Sequence, residues 1–153
     1  MTLKHSFLVT LIACALVTPA FAQDDNVPDI GRDAVDLADE MTRPVDLLRY
    51  DTAIVMTSRD TADRRVVCTA FDETGQVVGR GAVLVPARGI RHALASELSS
   101  GPPLLASVVC KSRGHVAGTA FLLGGAAGVT SLPTSVRAGS RGTTTRIPVV
   151  FVR

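Results

Sequence analysis

The sequence contains no tryptophan and one tyrosine, and its other aromatic residues are five phenylalanines. Beyond residue 22 the aromatic side chains are Tyr50, Phe71, Phe121 and Phe151. Sites for single-stranded nucleic acid use aromatic rings on which the bases stack, and sugar-binding platforms also need exposed rings. The scarcity of such rings argues against both ligand classes, and we expect no nucleic acid partner.

Local motifs of common catalytic sites are also missing. The chain has neither the Gly-X-Ser-X-Gly of a nucleophile elbow nor a Cys-X-X-Cys redox pair. The glycines between residues 118 and 128 are not followed by the Lys-Ser or Lys-Thr of a phosphate-binding loop. Carboxylates for glycoside cleavage would have to come mainly from the N-terminal third, outside any evident cleft. The sequence therefore favours a non-catalytic protein without a cofactor.

His92 and His115 are the two histidines beyond residue 22. Two imidazoles and a carboxylate can bind zinc or copper, but the close His-X-His or His-X-X-X-His spacing is absent. We predict no metal site. A small periplasmic enzyme or metal-binding protein that uses both histidines is kept as an alternative function.

The first 22 residues have the order of a secretory signal peptide. Lys4 precedes an uncharged run at residues 7–17, and a small-X-small triplet occupies residues 20–22. Pro19 and the polar residues after the triplet cut this run short of the about twenty apolar residues that a membrane span needs. We expect export to the periplasm or the outside of the cell, with no transmembrane segment after cleavage.

Cleavage after residue 22 leaves two cysteines, Cys68 and Cys110, each in the middle of an apolar segment. An even number of cysteines in an oxidising compartment predicts a disulfide, which stabilises the fold by about 2–4 kcal/mol. The third cysteine, Cys14, ends the sequence Leu-Ile-Ala-Cys, which resembles a bacterial lipobox. A lipoprotein that begins at Cys14 is therefore the alternative to cleavage after residue 22.

Charge is distributed unevenly along the chain. Residues 23–51 hold nine acids and three arginines, whereas residues 52–153 hold twelve bases and five acids. We divide the chain into a signal peptide (1–22), an acidic N-terminal arm (23–49) and one domain (50–153). Such asymmetry predicts an arm that lies on its own domain or meets a basic partner.

From residue 50 onward, short runs of Val, Ile, Leu and Thr alternate with turn residues. About seven such strands predict a mainly β fold, an antiparallel β-sandwich that is immunoglobulin-like in outline, in which the disulfide links the two sheets. Residues 33–41 are predicted as a short helix or as part of a flexible arm. Residues 95–103 and 124–140 are predicted as loops. Pro148 places the terminal strand, residues 143–152, at an edge or a bulge.

Arginine points to anionic partners, since it outnumbers lysine fourteen to two. We hypothesise that the loops at residues 88–91 and 124–146 bind a protein or an anionic polymer or surface. The candidate binding residues are Arg88, Arg91, Arg137 and Arg141. The other alternative is a structural or assembly subunit whose terminal strand, residues 143–153, pairs with another chain. The sequence leaves the oligomeric state open.

Overall fold

The computed structural model describes residues 26–42, 50–99, 104–124 and 128–152, so the predicted signal peptide and Cys14 lie outside the described residues. Two short helices occur in these ranges, α1 (Ala34–Thr42) and α2 (Ala95–Leu98), and neither has the length and apolar character needed to cross a membrane. The strands are β1 (Arg32–Asp33), β2 (Tyr50–Ser58), β3 (Arg64–Phe71), β4 (Val77–Val85), β5 (Ile90–Leu94), β6 (Leu104–Ser112), β7 (Val116–Gly124), β8 (Val129–Leu132), β9 (Ser135–Gly139) and β10 (Gly142–Phe151).

The strands form two five-stranded antiparallel sheets, which confirms the mainly β prediction. Sheet I has the order β4-β3-β6-β10-β9, and sheet II has the order β1-β5-β2-β7-β8. Side chains alternate along β3 as the sequence predicts: Val66, Cys68 and Ala70 are buried, while their neighbours are half-buried. Because of this alternation, one face of each sheet points toward the interior and the other face points outward.

One core cluster joins the inward faces of the two sheets. It includes Ile54 and Met56 of β2 in sheet II, and Val108, Ile147 and Val149 of sheet I, all with at most 1% of their surface exposed. Each such side chain contributes about 1.5–3 kcal/mol when it is fully buried. The chain therefore holds its two sheets together mainly through aliphatic packing.

The Cys68–Cys110 disulfide is present, but the prediction that it links two sheets is wrong. Cys68 lies directly opposite Cys110 where β3 pairs with β6, so both cysteines belong to sheet I. Both side chains face the core and are almost completely buried. The bridge therefore fastens two neighbouring strands that are 42 residues apart in sequence.

The N-terminal segment connects one sheet to the other. The N–H of Ile30 donates to the carbonyl of Ala82 on β4 at 2.8 Å, and β1 then pairs with β5 of sheet II. The helix predicted at residues 33–41 is confirmed as α1. A second connection joins β2 to β10, where the Thr52 hydroxyl accepts from the Val150 N–H and donates to its carbonyl, each at 2.9 Å.

Two of the predicted loops contain regular structure. Residues 124–140 include β8 and β9, and residues 95–103 begin with α2. All five residues of β9 are exposed, so their sequence has no buried-exposed alternation that would predict a strand. In β4, Gly79 lies against α2, and a Cβ atom there would lie 1.5 Å from the Leu98 carbonyl oxygen. β4 has a bulge between Val77 and Gly79, where Ala70 pairs with Gly79 and Phe71 pairs with Val77.

The terminal strand is not an edge strand over its whole length. Residues 142–146 of β10 pair with β9 on one side, while β6 lies on the other side from residue 143 to residue 151. Pro148 lies beyond the end of β9, where no neighbouring strand needs its missing N–H. On this side of sheet I, β9 therefore forms the free edge next to residues 142–146 of β10.

Candidate anion-binding site

The structure separates the four predicted binding arginines into two groups. Arg137 lies in the middle of β9, and Arg141 lies in the turn between β9 and β10; both side chains are exposed. Arg88 lies in the turn between β4 and β5 with φ of 54°, and Arg91 of β5 forms an ion pair with Asp33. Arg137 and Arg141 belong to one groove, whereas Arg88 and Arg91 lie outside it.

This groove, of about 910 Å³, runs over the outer face of sheet I. Because Cys68 faces the core, its neighbours Val67 and Thr69 face outward and line the groove. We call it the basic groove, because Asp63 is the one acid among its described lining residues. Its seven cationic residues are Arg64, Arg65, Arg80, Lys111, Arg113, Arg137 and Arg141.

Strand pairing spaces these cations across the sheet. Lys111 on β6 lies opposite Thr144 on β10, and Thr144 lies opposite Arg137 on β9. Neighbouring strands are about 4.8 Å apart, so the backbones at Lys111 and Arg137 are separated by about 10 Å. Arg80 lies on the other side of the groove, opposite Thr69 of β3. Cationic residues therefore lie on both sides of the groove.

The positive charge at the β9 side of the groove is not neutralised within the described part of the chain. No carboxylate there forms an ion pair with Lys111, Arg137 or Arg141. The sequence contains no acidic residue after Glu97. The Asp63 carboxylate accepts a hydrogen bond from the backbone N–H of Ala87 at 2.9 Å. The groove therefore favours anions over cations.

Asp60 organises the loops at one end of the groove. Its carboxylate accepts hydrogen bonds from the Arg64 Nε at 2.6 Å and from the backbone N–H of His115 at 2.9 Å. These two donors, the His115 N–H first, hold the pKa of Asp60 below its usual value of 3.8. Arg64 is therefore fixed at the end of the groove, with part of its charge compensated.

The floor of the groove is apolar. Val67 of β3 and Val109 of β6 are half-buried on the outer face, and Phe71 lies farther along β3. Leu84 of β4 lies beside Arg65, and half of its surface is exposed. The basic groove thus combines an apolar floor with a cationic rim.

His92 and His115 do not converge. His92 is fully buried in β5, opposite Val55 of β2. The His115 side chain is 77% exposed in the turn between β6 and β7, with its Nδ1 3.4 Å from Asp60 Oδ1. Within the described ranges, no three His, Cys, Asp or Glu side chains come together in a group that could hold a metal ion.

Asp51 is a half-buried carboxyl group with a structural role. It accepts hydrogen bonds from the backbone N–H groups of Thr52 at 2.7 Å and Ser96 at 3.2 Å, and so links β2 to α2. Burial raises the pKa of Asp51, and the nearby charge of Glu97 acts in the same direction. The Ser96 side chain also hydrogen-bonds to this carboxylate, so Asp51 fastens the start of α2 to β2.

Sequence reasoning missed Lys111 and Arg80 as members of the same site. Each is the single base of its strand, and only the pairing of β4, β3 and β6 brings them to one face. The one available signal was parity: Lys111 follows Cys110, so it faces outward if Cys110 faces the core. The order of strands in the sheet, which sets the distance between the two residues, leaves no local trace in the sequence.

No protein-family model matches this chain, and no curated protein or solved structure matches it either. The account of its function therefore depends on the groove itself.

Proposed function

We propose that the protein is an exported, non-catalytic β-sandwich module that binds anionic ligands, such as an anionic polymer or surface, in the basic groove. The observation that carries this proposal is the set of seven cationic residues and one acid among the described residues that line the groove. Lys111, Arg137 and Arg141 retain their charge for a ligand, because no described carboxylate pairs with them. Binding of this kind is electrostatic and weakens as salt increases.

Export is part of the same proposal. The signal-peptide pattern at residues 1–22 supports it, and the Cys68–Cys110 disulfide is compatible with the periplasm or the exterior of the cell. The module resembles an immunoglobulin domain only in having two facing sheets, because its bridge lies within one sheet. Cleavage after residue 22 and lipidation at Cys14 are the two forms of this proposal.

The other functions considered are less favoured. A metal protein that uses His92 and His115 would have to bring a fully buried and an exposed imidazole together. An assembly subunit would pair another chain with its terminal strand, but β9 already covers residues 142–146 of β10, so the other chain would meet the free edge of β9 there. Arg137 lies in the middle of that strand, and a charged side chain on an edge strand opposes such pairing.

A charge-reversal experiment tests the proposal. The variant Arg137→Glu/Arg141→Glu is compared with Arg59→Glu/Arg88→Glu, which changes the net charge equally at exposed positions outside the groove. Two lost ionic contacts of about 1 kcal/mol each weaken binding roughly thirtyfold. We expect this loss for dextran sulfate with the groove variant and a much smaller loss with the control.

Elution from a dextran sulfate column in a sodium chloride gradient ranks the variants, and titration by calorimetry gives each Kd. Both variants should unfold in a cooperative thermal transition, because all four positions are exposed. Equal losses in the two variants would show that binding depends on net charge alone, and the groove proposal would then be wrong.

A further inference from the structure

The apolar floor gives the basic groove a property that a hydrophilic polyanion does not use. Val67 and Val109 lie on the two middle strands β3 and β6, and Leu84 is 50% exposed on β4. Apolar surface of this kind gains about 25 cal/mol for each Å² that a ligand removes from water. Pure sulfate or phosphate polymers leave this gain unrealised.

Charge and apolar surface are arranged along the groove as well as across it. Arg65 at the start of β3 and Arg141 in the turn before β10 lie toward one end, whereas Phe71 is the last residue of β3 at the other end. Lys111 lies opposite Val67, between these ends. Arg65 and Phe71 are six residue steps apart, which is about 20 Å of extended chain. Arg80 lies opposite Thr69 on the β4 side of this length. Cations therefore line the edges, while Val67, Val109 and Phe71 form the apolar middle. A ligand with an anionic head at the Arg141 end and an apolar tail along this middle fits the groove.

We propose that the natural ligand of the basic groove is a single phosphorylated amphiphile, that is, an anionic lipid molecule. Lys111 and Arg141 bind its phosphate, and its hydrocarbon lies over Val67 and Val109 toward Phe71. This inference rests on the proposed function, since it names the class of anion that the same groove takes. Charge complementarity at Lys111 and Arg141, together with the apolar floor beside them, selects this occupant.

Three small probes separate the contributions of head and tail. Dihexanoyl phosphatidic acid carries both groups, glycerol 3-phosphate carries the phosphate alone, and dihexanoyl phosphatidylcholine carries the same tails with no net charge. Below the concentration at which micelles form, we expect the phosphatidic acid to bind at least tenfold more tightly than either of the other probes. Equal affinity for glycerol 3-phosphate would overturn the inference, because the tails would then contribute nothing.

Floor variants test the position of the hydrocarbon. Val67→Ser/Val109→Ser should lose about tenfold in affinity for dihexanoyl phosphatidic acid and keep its affinity for dextran sulfate. Val129→Ser is the matched control, because Val129 is an exposed valine of β8 in sheet II, outside the groove. Val109→Ser alone repeats the test with a single half-buried position changed.

The outcomes distinguish this inference from the proposed function. If the floor variants bind the lipid as tightly as the wild type, the inference that the ligand is an amphiphile is wrong. An affinity for dextran sulfate that falls in Arg137→Glu/Arg141→Glu would still support an anion-binding module. Binding only to vesicles that contain phosphatidylglycerol, with none to dispersed lipid, also overturns the single-molecule inference. If dextran sulfate does not respond to Arg137→Glu/Arg141→Glu either, the proposed function fails with it.

Discussion

Asp60 joins two loops at the cation-rich end of the basic groove. Its carboxylate holds Arg64 and the backbone of His115, and its carbonyl accepts the N–H of Arg88 at 2.9 Å. Gly114 makes the close approach possible, because a Cβ there would lie 2.0 Å from Asp60 Oδ2 and its φ is +105°. One ionised side chain therefore sets the shape of this end.

The lowered pKa of Asp60 predicts an effect of pH on stability. Because the folded chain favours the ionised form, the stabilising contribution is present above pH 3.8 and is lost as the pH falls below that value. Asp60→Asn should therefore be less stable than the wild type at pH 7, and this difference should shrink at pH 3. Urea unfolding at both pH values measures it.

The matched control for this prediction is Glu73→Gln. Glu73 is an exposed carboxylate in the turn between β3 and β4, so the change should have little effect on the free energy of unfolding at pH 7. If the free energy of unfolding of Asp60→Asn is lower than that of the wild type by the same amount at pH 7 and at pH 3, ionisation of Asp60 does not stabilise the fold.

Among the elements, β3 and β6 form the centre of sheet I and the floor of the groove. Their inward faces carry the disulfide, and their outward faces carry Val67, Val109 and Lys111. The bridge closes a separation of 42 residues, which reduces the entropy of the unfolded chain. It therefore fastens the two strands on which the proposed site depends.

Two measurements test the bridge and the export that goes with it. The intact mass of the exported protein should match residues 23–153 less two hydrogens. Reduction should lower the free energy of unfolding by about 2–4 kcal/mol, measured by urea denaturation with and without dithiothreitol. A mass that matches a lipid-modified chain beginning at Cys14 would show that cleavage takes place before Cys14 and not after residue 22. Two thiols that are alkylated without prior reduction would rule out the bridge.

Sequence patterns predicted some elements much better than others. The alternation around Cys68 predicted β3 and its buried face, because a half-buried strand has a period of two. The same pattern could not show that Cys110 lies in the same sheet, since pairing between distant strands depends on the whole fold. The exposed strand β9 has no such alternation. A sequence without alternation predicts a loop at Arg137, whereas the structure places this residue on a strand.

The N-terminal segment contacts the basic groove through its backbone, because the Arg65 guanidinium donates to the Val27 carbonyl at 3.0 Å. Its described ion pairs lie elsewhere: Asp33 pairs with Arg91 of sheet II, and Arg32 Nε donates to the Glu97 carboxylate at 2.7 Å beside α2. No acid of residues 26–42 is among the residues that line the groove. The described part of the acidic arm therefore lies on its own domain.

Mapping by nuclear magnetic resonance tests whether anions bind in the basic groove. A short dextran sulfate is added to the ¹⁵N-labelled protein at low salt, and changes in backbone amide shifts are followed to saturation. We expect the largest changes at Lys111, Arg137 and Arg141. Changes centred on the turn at Arg88, or small changes spread evenly over the surface, would contradict it.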